Sequence, residues 1–176
     1  MAAEQKPATW PDEIYEAFKK LDIRQVAYVP DAGHTRLINA CEADKEMQVI
    51  SCTTEEEGVA MLAGTWLGGE RGALLMQSSG VGNTINLLSI SLECRMPLVM
   101  VVTMRGEWGE FNPWQLPMGQ KAGAVLEEMQ VIVYRVEKAE EIGPTTYAAA
   151  LMAFNTGRPV AVLIAQCVIG FKDWSK

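Results

Sequence analysis

Three consecutive carboxylates, Glu55-Glu56-Glu57, follow Thr54 and open a segment that is otherwise apolar as far as Leu67. Acids in the first turn of a helix complement its macrodipole, at about 0.3–1 kcal/mol each, and that alone can account for them. A carboxyl carried into an apolar environment does something different, because it can share or donate a proton near neutral pH. Residues three, four, seven and eight apart share a helix face. Glu55 looks along Gly58, Val59, Leu62 and Ala63, with Trp66 a turn further on. Glu56 looks along Val59, Ala60, Ala63 and Gly64, and Glu57 along Ala60, Met61, Gly64 and Thr65. The bulkiest apolar stripe belongs to Glu55, which is the acid expected to be buried.

The other chemistry-bearing residues gather in short loops: Pro30-Asp31-Ala32-Gly33-His34, Ser78-Ser79-Gly80-Val81-Gly82-Asn83 and Met104-Arg105-Gly106. Glycines ahead of a helix, as in Gly80-Val81-Gly82-Asn83, let backbone N–H groups approach an anion. This run has neither the third glycine of a dinucleotide fingerprint nor the Lys-Ser/Thr of a P-loop. A tight strand-to-helix turn explains it equally well. His34 is the only histidine. It reads either as a structural loop residue or, just beyond Asp31, as a substrate contact.

Six apolar, β-rich runs must carry these loops: Val26-Val29, Val49-Cys52, Ala73-Gln77, Leu98-Thr103, Val131-Tyr134 and Val160-Ala165. Between them lie helical patterns, one starting at Pro11-Asp12-Glu13 and others near Thr35-Ala43, Glu55-Leu67, Gly82-Cys94, Gly119-Met129 and Ala139-Asn155. Strands alternating with helices predict an α/β fold, a three-layer αβα arrangement around a mainly parallel six-stranded sheet. In such sheets ligands bind beyond the carboxyl ends of the strands, where the loops above begin. The long connection Met104 to Met118, with Trp108 and Trp114, reads as a lid, a contact surface or a plain loop.

A chain of 176 residues, 49 % of them apolar, fits one domain with a substantial core. The net charge of −7 argues against nucleic acid or an anionic membrane surface as partner. Cys41, Cys52, Cys94 and Cys167 form no Cys-x-x-Cys pair, so a metal knuckle is not written here, and reduced, mostly buried thiols are expected. No apolar signal core stands in Met1-Trp10 and no run approaches the roughly 18 apolar residues of a membrane span. The expected location is the cytoplasm.

Glu55 with Gly64 nine residues later resembles the start of the glutamate helix in thiamine-diphosphate-dependent decarboxylases. Val29-Pro30-Asp31, Leu75 to Asn83, and Pro97-Leu98-Val99-Met100 leading to Arg105-Gly106 are similar to that family's pyrimidine-binding domain, over about residues 12 to 168. The resemblance is strongest to sulfopyruvate decarboxylase alpha subunits and phosphonopyruvate decarboxylases. It implies that Glu55 hydrogen-bonds N1′ of the cofactor's aminopyrimidine, and that Gly80, Val81, Gly82 and Asn83 form the cofactor-facing loop. It also implies substrate contacts from Asp31, His34, Gln77 and Arg105, with Arg36 and Arg95 as weaker candidates for an anionic substituent. The lone histidine excludes the paired histidine relay of pyruvate decarboxylases, and Ala32 stands where close relatives commonly carry serine.

In that family a Gly-Asp-Gly motif and a downstream Asn hold the magnesium that bridges to the diphosphate. Here no Asp is followed by Gly. The resemblance therefore implies that a partner beta subunit supplies Gly-Asp-Gly…Asn and Mg2+, in a hetero-oligomer of at least two alpha and two beta chains, and that no metal is held by this chain. The expected reaction is decarboxylation of a 3-substituted 2-oxo acid, sulfopyruvate first, phosphonopyruvate or another such acid next. A non-catalytic module that kept the fold is the alternative of a different kind. A nucleotide-binding flavodoxin-like protein is disfavoured by the missing phosphate fingerprint.

Overall fold

A computed structural model describes residues 9–171. The signal-free reading of Met1-Trp10 falls mostly outside these residues. In chain order the elements are α1 (Trp10–Lys20), β1 (Ile23–Tyr28), α2 (Thr35–Ala43), β2 (Gln48–Ser51), α3 (Glu55–Leu67), β3 (Arg71–Gln77), α4 (Val81–Thr84) and α5 (Leu88–Glu93). They continue with β4 (Leu98–Thr103), α6 (Leu116–Glu128), β5 (Ile132–Val136), α7 (Ala139–Thr156), β6 (Pro159–Ile164) and α8 (Gln166–Ile169).

All five strand pairings are parallel, in the order β2-β1-β3-β4-β6-β5. Strand alternation divides the core between the two faces of the sheet. On β3, Ala73 and Leu75 pack with Ile14, Phe18, Leu37 and Ile142 on the α1, α2 and α7 side. Leu74 and Met76 pack with Val59, Leu62, Leu88 and Leu126 on the α3, α5 and α6 side. Burial on both faces is why β6 is apolar throughout and β4 is apolar up to the hydroxyl of Thr103. From β1 the chain runs outward to β2, then returns to add β3 and β4 on the other side. The order therefore reverses between β1 and β3, and the loops leaving their carboxyl ends face a crevice.

The expected helix over Gly82-Cys94 is two short helices separated by a turn at 85–87. Thr84 Oγ1 donates to Val81 O (2.9 Å) and Ser89 Oγ to Asn86 O (2.7 Å). Side-chain hydroxyls thus occupy carbonyls that a continuous helix would use. α6 begins at Leu116, inside the stretch read as loop, because Pro113 and Pro117 fit the first turns of helical segments. Among the described residues no helix is long and apolar enough to cross a membrane.

Candidate active site

Thr54 caps α3 through Oγ1, which accepts from Glu56 N (3.2 Å), and this fixes where the three glutamates point. Glu57 turns back to accept from Thr53 N (2.7 Å) and Thr53 Oγ1 (2.8 Å), Glu56 is exposed, and Glu55 is 6 % exposed. One acid of the cluster is therefore a surface group, one a local cap and one buried. Glu55 Oε2 accepts from Asn83 Nδ2 (2.8 Å). Its other oxygen lies over the Cα of Gly80, so closely that a Cβ at that position would collide with Oε1, Cδ and Cγ together. Only glycine allows the 3-10 turn Ser78–Gly80 to pass across the carboxyl. Gly80 and Asn83 thus hold one carboxylate between them, with Val81 buried and Gly82 exposed beside Met118.

The second group forms around Asp31. Gln77 Nε2 donates to Oδ1 (2.9 Å) and Thr103 Oγ1 donates to Oδ2, so both carboxylate oxygens are braced. Ser79 Oγ donates to Gln77 Oε1 (3.0 Å), which orients the amide. Gly33 packs into the angle between them, where a Cβ would stand 2.8 Å from Thr103 Cγ2 and 2.9 Å from Asp31 Oδ2. A cleft of about 230 Å³ opens beside this cluster, lined by Asp31, Gly33, Thr103, Arg105, Ile169 and Phe171. Glu55 is not on its wall. The loop after β3 joins the two groups, sending Gln77 to Asp31 and Asn83 to Glu55.

Two sequence-derived candidates have other duties. His34 is fully buried, with Nε2 between the carbonyls of Met76 (3.3 Å) and Val101 (3.2 Å). Nitrogen between two carbonyl oxygens must carry the proton, so Nε2–H donates and Nδ1 is bare and unpartnered. Burial pushes the imidazole pKa down and favours the neutral ring. The expected direct substrate contact is withdrawn: His34 ties the carboxyl ends of β3 and β4 together beneath the site. Arg105 does line the cleft, but Nε and Nη2 pair with Glu110 at 2.6 and 2.7 Å. As a free anion clamp it is therefore also corrected. Arg36 is paired with Asp12 on the surface, away from either group.

Thr103 and Glu110 escaped the sequence reading. Glu110, its side chain 1 % exposed, also accepts from Gly106 N (3.3 Å), Asn112 N (3.0 Å) and Gln166 Nε2 (2.9 Å). With the arginine foremost among these donors, its carboxyl is held down at about 2. Gln166 Oε1 in turn accepts from Glu107 N (2.9 Å) and Trp108 N (3.0 Å). The stretch 105–112 is thus pinned from inside while Trp108, Phe111 and Trp114 stay exposed, Trp114 at 87 %. For Thr103 a signal existed, a hydroxyl ending an otherwise apolar strand. Nothing local marked Glu110.

The family model for the thiamine pyrophosphate enzyme, N-terminal TPP binding domain, matches residues 9–114, which include Glu55, Gly80 and Asn83. The chain belongs to this family. Among relatives of this thiamine pyrophosphate enzyme domain, sulfopyruvate decarboxylase subunit alpha of Methanococcus maripaludis is 32 % identical over 87 % of this chain and 92 % of that one. Sulfopyruvate decarboxylase of Methanosarcina acetivorans is 33 % identical over 89 % of this chain but only 40 % of its own length. Phosphonopyruvate decarboxylase of Streptomyces viridochromogenes is 38 % identical over 61 % of this chain and 28 % of that one. A solved 2-oxoglutarate:ferredoxin oxidoreductase from Magnetococcus marinus superposes with a TM-score of 0.77 over 92 % of this chain and 29 % of the other. At 14 % identity that likeness establishes the fold alone.

The site residues fit the pyrimidine end of thiamine diphosphate. Glu55 offers one carboxylate oxygen not taken by a side-chain donor, in a buried position packed closely against Gly80. Four free cysteines accompany the site without entering it, Cys41 and Cys52 buried, Cys94 and Cys167 exposed, where mostly buried thiols were expected. Among the described residues no cluster of three or more His, Cys, Asp or Glu could hold a metal ion.

Proposed function

We propose that this chain is the pyrimidine-binding subunit of a thiamine-diphosphate-dependent decarboxylase of 3-substituted 2-oxo acids, with sulfopyruvate to sulfoacetaldehyde and carbon dioxide as the leading reaction. The observation that carries the reading is Glu55, buried, packed against Gly80 and oriented by Asn83 through one oxygen only. The names borne by the relatives, sulfopyruvate decarboxylase alpha subunit above all, support the substrate class.

Thiamine diphosphate, when bound, supplies the electron sink that a 2-oxo acid lacks for losing its carboxylate. Glu55 would hold a proton toward the ring nitrogen of the cofactor's pyrimidine, at the carboxylate oxygen that Asn83 leaves free. Asn83 fixes the rotamer of that carboxyl, and the apolar side chains of α3 behind it keep water away. Asp31, with Gln77 and Thr103, forms the wall that faces substrate.

Charge decides what this chain leaves to another. Asp31, Arg105 and Glu110 sum to −1 around the cleft, which repels a dianionic substrate. The cations for a sulfonate, together with Mg2+ and the diphosphate grip, therefore belong to a partner beta subunit carrying Gly-Asp-Gly…Asn. The word alpha in the relatives' names and the much longer Methanosarcina chain support that division. The complex is a cytoplasmic hetero-oligomer of at least two chains of each kind.

The test is to purify the chain with its partner, add thiamine diphosphate and magnesium, and follow carbon dioxide release from sulfopyruvate, phosphonopyruvate and pyruvate. Release from sulfopyruvate that disappears in Glu55→Gln is expected. An unimpaired Glu55→Gln complex would refute the assignment.

A further inference from the structure

The outer face of α7 differs from the outer faces of the other long helices. α1, α2, α3 and α6 present charges such as Glu16, Lys20, Arg36, Glu42, Glu56, Lys121 and Glu127 to solvent. In α7 no charged residue occurs between Glu141 and Arg158. Its inner side is buried through Ile142, Thr146, Ala149, Ala150 and Ala153. Its outer side exposes Pro144, Tyr147, Ala148, Leu151 and Met152, with Leu151 at 40 %. A contiguous apolar stripe on a protein of net charge −7 marks a surface that another surface covers.

Charges border the stripe toward its two ends, net acidic at the amino end, where Glu13, Glu16 and Lys20 of α1 line the adjoining cleft, and basic at the carboxyl end. Glu140 lies at the amino end, with Glu16 of α1 across the adjoining cleft. Arg158 lies at the carboxyl end, beside Arg95, whose carbonyl abuts Gly157. Among the described residues Glu16, Glu140 and Arg95 make no ion-pair contact, and Arg158 donates only to the main-chain carbonyl of Gln130 (3.4 Å). The surface is thus acidic at one end, basic at the other and apolar between, which is complementary to itself when reversed.

We propose that this face binds a second copy of the same chain, with α7 packed antiparallel on its counterpart about a two-fold axis near Ala148. A two-fold contact uses one patch twice, so position 148 + k opposes 148 − k. Met152 then meets Pro144 of the second copy, and Thr156 meets its Glu140. Arg158 stands just past the helix, after the left-handed cap Gly157, at the end of the stripe that this pairing brings toward that Glu140. The helix dipoles are antiparallel and no like charges face each other. The contact is independent of the reaction assigned above and lies on the α1–α7 face of the sheet, whereas Glu55 lies on the α3 face.

Sedimentation equilibrium of the full chain, without its partner and at micromolar concentration, tests this. A dimer is expected. Leu151→Glu should give a monomer with unchanged circular dichroism and melting temperature. Because that variant could disturb α7 itself, two exposed charge reversals provide a second arm. Glu140→Arg and Arg158→Glu should each weaken the dimer about tenfold, and the double variant should restore it. In the complex with its partner, Ala148→Cys in a Cys94→Ser, Cys167→Ser background should oxidise to a disulfide between two copies of this chain. A monomeric wild-type chain, a dimer indifferent to Leu151→Glu, a double reversal without recovery, or a disulfide to the other subunit would each overturn the proposal.

Discussion

Glu55 and Glu110 are both buried glutamates in loops or helix starts at the carboxyl edge of one sheet, yet their surroundings differ in one countable respect. Glu110 accepts from five donors, three of them side-chain groups and two backbone amides. Glu55 accepts from one, Asn83. A carboxylate saturated with donors, one of them a paired arginine, is fixed in charge and position and has no lone pair left for a ligand. A carboxylate with one donor keeps lone pairs unused and can still take or hold a proton. Burial alone does not mark a catalytic acid; burial with unused capacity does. Asp31 stands between the two, with both oxygens braced but its flank on the cleft.

The largest effect should come from Glu55→Gln. Activity of the loaded complex is expected to fall by about 10²–10⁴, the range for removing a positioned acid-base group, with an unchanged melting temperature. Glu110→Gln should do the reverse. It leaves Arg105 with no charged partner and lowers stability by about 3 kcal/mol, read by urea unfolding, before any change in the chemistry of a folded complex. A Glu110→Gln chain as stable as wild type would erase the distinction between the two glutamates.

The same contrast predicts a pH dependence. The carboxyl of Glu110 is depressed from 4.5 to about 2 in the folded chain. Its contribution is complete above about 4.5 and is lost as pH falls through about 2. Fluorescence of the exposed Trp108 and Trp114 should change across that interval in wild type and not in Glu110→Gln. Smaller effects follow from the orienting groups. Asn83→Ala removes the one donor to Glu55 and should cost about tenfold in kcat/KM, in keeping with about 1.5 kcal/mol for a hydrogen bond to a charged group. Thr103→Val unbraces Asp31 on one side and should cost several-fold, of order 1 kcal/mol, with Thr103→Ser close to wild type. A loss in the serine variant with valine close to wild type would mean that packing of the methyl against Gly33, not the hydroxyl, is what Thr103 supplies.

Much of this site was legible from residues close together in the chain. Helix spacing alone separated Glu55 from Glu56 and Glu57, because a face three and four residues long is a local property. The break between α4 and α5 was missed because hydroxyl-to-carbonyl bonds from Thr84 and Ser89 compete with a helical pattern that periodicity registers as continuous. His34 and Arg105 have partners in the fold that the sequence did not show. His34 is claimed by carbonyls 42 and 67 residues away, and Arg105 by a glutamate in an irregular loop whose path no period encodes.

By itself the sequence determined the alternation of strand and helix, the parallel sheet, the crevice at its carboxyl edge and the one glutamate in the triplet that faces apolar neighbours. These depend on periods of two and 3.6 residues and on turn chemistry, which act over a few positions. Only the tertiary structure decided which polar groups are already satisfied. It brought Gly80 against Glu55, Thr103 against Asp31 and Gln166 onto Glu110, folded the loop 105–112 around that glutamate, and left the outer face of α7 uncovered. Hydrogen-bond capacity is settled by how the chain folds around each group, so the same residue type is saturated with donors in one loop and keeps an unused oxygen at the start of a helix.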